Sequence, residues 1–119
     1  MESKELKNRT KQFALEIIDV VLSLPKNNIA EVLGKQLLRS ATSVGANYRS
    51  ACRSRSQAEF ISKLAIVIEE ADESQYWVEL LAEKEIINRA IAAKLWKEAD
   101  ELVRIMTASS KTAKRNNNR

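Results

Sequence analysis

Histidine is missing from all 119 residues, and cysteine occurs once, as Cys52. Ser-His-Asp and Cys-His catalysis both need an imidazole base, so both are excluded, together with any His-ligated metal. A single thiol closes no intrachain disulfide and builds no thiolate cluster. Glycine, with two residues, and proline, with one, are almost as scarce. Hairpins and phosphate-cradling loops draw heavily on glycine, which disfavours an all-β fold, a Rossmann unit and a P-loop. No apolar run approaches the roughly 18–20 residues needed to span a bilayer. The opening MESKELKNRTK is charged where a signal peptide would turn apolar. A cytoplasmic, non-enzymatic protein with no cofactor, no bound metal and no membrane contact is the simplest reading.

What is present is helix-forming. Apolar residues make up 45% and charged residues 30% of a 13.5 kDa chain, enough for the core of one domain. The first helix is expected over 4–24, with Leu6, Phe13, Ile17, Val20, Val21 and Leu24 on one face and Pro25 as the stop. A second follows over 28–53, opened by Asn27 or by Asn28, which with Glu31 resembles a capping box, and carrying Ala30, Leu33, Leu37, Ala41, Val44, Tyr48 and Cys52 inward. Gly34 and Gly45 lie inside it, each costing about 1 kcal/mol relative to Ala, and are read as points of close helix approach. Ser56 and Glu59 form a capping box for a third helix over 57–85, with Phe60, Leu64, Val67, Ile68, Ala71, Val78 and Ala82 inward. Asn88 opens a fourth over 89–109, built on Leu95, Ala99, Leu102, Val103 and Met106. Residues 111–119, KTAKRNNNR, lose the periodicity and read as a flexible basic tail. Long helices joined by short connections imply an elongated, all-α, up-down-up-down antiparallel four-helix bundle over residues 1–110.

Charge is unevenly spread along the chain. The net value is +4, but residues 1–60 carry +4, residues 61–102 carry −5 and residues 103–119 carry +5. On a helical wheel Lys35, Arg39, Arg49 and Arg53 fall within about 80° of one another, opposite the apolar stripe. Arg55 and Lys63 extend the charge beyond the turn. A stripe of this kind can follow a phosphate backbone and release its counterions. A plain solvated face, or one that meets the acidic third helix of a neighbouring subunit, explains the residues equally well. The tail residues Lys111, Lys114, Arg115 and Arg119 would add sequence-independent affinity. No aromatic platform accompanies the stripe, which argues against sequence-reading of single strands.

Two apolar sets lie off the core stripes. Leu15, Ile18 and Leu22 line a second side of the first helix, and Ile66 and Trp77 share a separate face of the third. Contiguous surplus apolar residues point to an oligomer or partner interface. The acids Glu69, Glu70, Asp72, Glu73, Glu79, Glu83 and Glu85 sit mostly off the core stripe, as a solvated face does, rather than as inward-facing metal ligands. Cys52 reads as a small buried thiol.

The stretch Ser40-Ala41-Thr42-Ser43-Val44-Gly45-Ala46-Asn47, followed by Arg53-Ser54-Arg55-Ser56 and Glu59-Phe60-Ile61-Ser62-Lys63-Leu64, resembles the bacterial 23S rRNA intervening-sequence proteins. Leu24-Pro25, Gln36-Leu37-Leu38-Arg39, Glu101-Leu102 and Thr107-Ala108-Ser109-Ser110-Lys111-Thr112 extend the likeness over nearly the whole chain. The sequence departs from the pattern after Asn47, where many members carry a Glu-Gly element and this chain has Tyr48-Arg49-Ser50-Ala51. The resemblance implies a four-helix bundle that forms ring-like homopentamers. It also brings in the accessory proteins of diversity-generating retroelements, which bind nucleic acid and a reverse transcriptase. The residues and the resemblance together support two readings. In one, a homo-oligomeric bundle binds RNA or DNA; in the other, a scaffold docks a polymerase-like protein partner.

Overall fold

Asn27 is extended, at φ −143° and ψ 164°, and its side chain accepts a hydrogen bond from the Ala30 amide at 3.0 Å. That cap starts the second helix one residue before the Asn28 box would have done. In the computed structural model, which describes residues 2–117, there are four helices: α1 (Ser3–Leu22), α2 (Asn28–Cys52), α3 (Gln57–Glu83) and α4 (Arg89–Asn117). No strand occurs among the described residues. α1 stops at Leu22, because a residue directly before proline avoids helical backbone. Ser56 caps α3 as its box requires, its hydroxyl accepting from the Glu59 amide at 3.1 Å. Glu59 reaches back to the Arg55 amide, at 3.5 Å, one residue short of the reciprocal box bond. Asn88 accepts from the amides of Ala90 and Ile91 at 2.8 and 3.2 Å and so opens α4.

The stop of α3 uses no glycine. Glu85 takes a left-handed backbone, φ 58°, while the Ile86 amide bonds the Leu81 carbonyl at 2.8 Å and the Glu85 amide bonds Ala82 at 3.0 Å. This is the paired-bond cap that usually places glycine at the left-handed position. An L side chain there costs about 1 kcal/mol.

α2 packs closely against α1 and α3, α4 packs closely on α3, and α1 and α4 close the bundle more loosely. Every neighbouring pair is antiparallel: Thr10 faces Gly45 while Leu24 faces Gly34, and Gln57 reaches Ala113 while Gln75 reaches Trp96. The whole measures 52 × 21 × 20 Å, an elongated bundle. Phe13, Ile17, Leu37, Val44, Leu64, Val67, Leu81, Leu102 and Met106 fill the core. Ser40 and Ser74 meet inside it as a hydroxyl pair 2.9 Å apart, which fixes the register of α2 against α3. Leu81, absent from the stripe read in the sequence, is fully buried.

The two glycines of α2 meet different neighbours. A methyl at Gly34 would come within 2.7 Å of Leu24 Cδ1, the end of a flexible side chain in the connection after α1, which can turn aside. At Gly45 the nearest atoms, all of Thr10 and two of them backbone, would lie 3.5 Å away, an ordinary contact. Neither glycine is required by the packing of α1 on α2.

The expected flexible tail is corrected. α4 runs on through Asn117, with Ala113 buried at 4% exposure and Ser110 at 7%. The long fourth helix lies along the start of α3, and Gln57 meets the Ala113 carbonyl at 3.5 Å. Contact with α3 supplies the burial that the tail's own composition lacks. Arg119 lies outside the described residues.

Candidate nucleic-acid interface

The basic stripe of α2 divides among three environments. Arg39 faces α3, where its guanidinium bonds Glu70 at 2.9 Å and also pairs with Glu73. Those hydrogen bonds, Glu73's foremost, raise its pKa further. Burial works to raise the Glu73 carboxyl, but hydrogen bonds from Arg39 and Trp77 outweigh it and hold the group below its ordinary value. Arg39 therefore joins two helices of the bundle and has little charge left to offer a ligand. Lys35 is exposed near the start of α2 and pairs with Glu31, one turn earlier, at 3.4 Å.

Arg49 and Arg53 are exposed and have no carboxylate partner among the described residues. They line a groove of about 460 Å³ between α1 and α2, together with Lys7, Lys11, Thr42, Gly45 and Ala46. No acidic side chain lines it. Lys7 and Lys11 were not among the residues singled out from the sequence. Their spacing with Lys4, three and then four residues, was the available signal, but only the antiparallel packing of α1 on α2 brings them to Arg49 and Arg53.

The same topology gathers the remaining charge. The N-terminal part of α1, the C-terminal part of α2, the start of α3 and the end of α4 all lie at one end of the bundle. Ser3 borders the same cleft as Arg55 and Gln57, and Gln57 borders the next with Ala113. That end comprises residues 2–7, 48–65 and 105–117, with nine basic and three acidic side chains. None of the nine is ion-paired among the described residues, whereas Arg9, just beyond them on α1, bonds Glu98 at 2.7 Å and Glu101 at 2.8 Å. Lys63 is half-buried on α3, while Arg55, Lys111, Lys114 and Arg115 are exposed. The opposite half, residues 8–47 and 66–104, carries ten basic and thirteen acidic side chains.

The apolar surplus falls entirely on that opposite half. Leu15 and Leu22 are exposed, Leu22 at 79%, and Ile18 is half-buried beside them. Ile66 is exposed, but Trp77 packs partly against the core and its indole N–H donates to Glu73 at 3.2 Å. Tyr76 beside it, whose ring meets Trp77 edge-on, stands 53% exposed. Ile29, Val32, Ile91 and Trp96 complete the exposed set.

Cys52 differs from expectation, and Asn47 serves its own helix. Asn47 bonds the Ser43 carbonyl of its own helix at 2.9 Å rather than a neighbouring helix. Cys52 is half-buried near Tyr48, whose hydroxyl is pushed well above its usual pKa, by burial first and by the neighbouring thiol second. Among the described residues no group of acids and Cys52 is placed to hold a metal, and no helix is long and apolar enough to cross a membrane.

Comparison with known proteins agrees with this architecture. The family model described as 23S rRNA-intervening sequence protein matches residues 2–108. A crystal structure of a protein with unknown function from the S23 ribosomal protein family of Bacteroides thetaiotaomicron superposes with a TM-score of 0.86. It is 35% identical, and the alignment covers 93% of this chain and 99% of that one. No curated protein matches.

Proposed function

The chain belongs to the 23S rRNA-intervening sequence protein family, and on that premise we propose that it is a non-enzymatic, cytoplasmic helical bundle that binds RNA or DNA through backbone phosphates. One observation carries the reading. The fold concentrates nine cations against three anions at one end, and none of those cations has an ion-pair partner among the described residues. A structural role for these charges would have paired them, as it pairs Arg39 and Arg9. Unpaired cations in a cluster repel one another, and a polyanion relieves that repulsion while shedding counterions. Arg49, Arg53 and Arg55 are the principal contacts, with Lys63, Lys111, Lys114 and Arg115 around them. Lys35 and Arg39 leave the set. Titrating a labelled 23S rRNA fragment and a duplex DNA at several salt concentrations tests the reading. Log affinity should fall linearly with log salt, by about 0.9 per phosphate contact on duplex DNA. Absence of binding at low salt would end it.

The opposite half supports a second component. Leu15 and Leu22 are exposed on α1 with half-buried Ile18 beside them, and Ile66 stands exposed on α3. Such surfaces suit self-association, a pentamer by the family resemblance, or the docking of a polymerase-like protein. Light scattering on Leu15→Glu with Leu22→Glu separates the two: a smaller particle marks a subunit interface, and an unchanged particle leaves partner docking.

A further inference from the structure

We propose that the groove between α1 and α2 is a phosphate cradle for double-stranded rather than single-stranded nucleic acid, a refinement that rests on the polyanion reading above. Lys7 and Lys11 on one wall and Arg49 and Arg53 on the other each stand four residues apart. That spacing sets each pair about 6 Å apart along its helix. Thr42 and Gly45 supply the floor, so no bulky side chain keeps a phosphate oxygen from the guanidinium groups. Arginine can then hold a phosphate bidentately, while the two lysines act as point charges.

The duplex preference follows from where the aromatic rings lie. A protein that holds a single strand repays the cost of ordering it by stacking bases on exposed rings, each stack worth about 1–3 kcal/mol. The basic half has two rings: Tyr48, buried at 4% exposure, and Phe60, packed against the core. Phe13 is buried as well, and Tyr76, Trp77 and Trp96 belong to the other half. The basic end therefore offers charge and, in the half-buried Phe60, little stacking surface. A duplex suits such a site, because its backbone is already stiff and it presents one charge per about 1.7 Å of axis against about 3.4 Å for one strand.

The test is fluorescence anisotropy over a salt series with four probes: an RNA duplex, a DNA duplex, and an unstructured single strand of each chemistry. Duplex probes should bind on the order of tenfold tighter than single strands at equal salt, and the RNA and DNA arms distinguish which duplex is preferred. Lys7→Gln with Lys11→Gln should lower the salt slope for duplex by about two, with the helical circular dichroism unchanged. Single strands binding as tightly as duplex would overturn the cradle and leave the polyanion reading standing. An unchanged slope in the double variant would remove the groove as the contact. Failure of all four probes to bind would overturn the polyanion reading itself.

Discussion

The two halves of this bundle are built from the same four helices and share one continuous core, yet their surfaces have almost nothing in common. One half displays unpaired lysine and arginine and, among the described residues, exposes no large apolar side chain. The other carries an acidic excess, the inter-helix ion pairs of Arg39 and Lys94, and every exposed large apolar residue, from Leu15 to Trp96. The difference teaches how a repetitive scaffold can divide its tasks. A core fixes where helices lie but leaves their outward positions free, so charge can gather at one end and apolar surface at the other without cost to packing.

The comparison breaks most severely if the shared core is breached. Leu102 is fully buried, and Leu102→Ala should cost about 2–5 kcal/mol. Urea unfolding followed by circular dichroism and by tryptophan fluorescence, which reports the acidic half, should shift together, since one core serves both ends. Divergent transitions would mean that the halves fold independently.

Next in size is the charge contrast itself. Arg49→Glu with Arg53→Glu should weaken nucleic-acid binding by about 100-fold, whereas Lys35→Glu, at the other end and beside Glu31, should change it by less than about threefold. Equal losses would return the contact to the whole α2 stripe. A smaller effect concerns the turn at the acidic end. Glu85→Gly should stabilise the protein by about 1 kcal/mol, because glycine adopts φ 58° without the side-chain penalty. Thermal melting that moves downward would show that the Glu85 side chain makes a compensating contact.

The smallest effect sharpens the contrast between paired and unpaired arginines. Arg39→Met should destabilise by about 0.5 kcal/mol, in keeping with an exposed pair. Glu73 has its folded-state pKa lowered, so the pair's contribution is present at neutral pH and is lost as pH falls through that lowered value. Wild-type and variant stabilities should therefore converge in acid. A difference that persists there would assign the effect to packing of the arginine stem.

Much of this was legible in the sequence, and for local reasons. Apolar spacing of three and four, the Ser56 and Asn88 caps and the stop before Pro25 are properties of neighbouring residues, and they fixed four helices and their order. The end of α3 was less legible because a glutamate occupies the left-handed position that glycine normally marks. The length of α4 was misread because Ala113 is buried by α3, not by any pattern of its own. Among the site candidates, Arg49 and Arg53 remain together in the groove, but Arg39 and Trp77 both bond Glu73 of the bundle itself. Lys7 and Lys11 entered only with the fold. The sequence by itself determined the helices, the apolar faces and the total charge, because periodicity and composition act over a few residues. Which charges pair, which stay free, and which four cations share one groove was decided by antiparallel packing, because electrostatics depends on distances that only the tertiary structure sets.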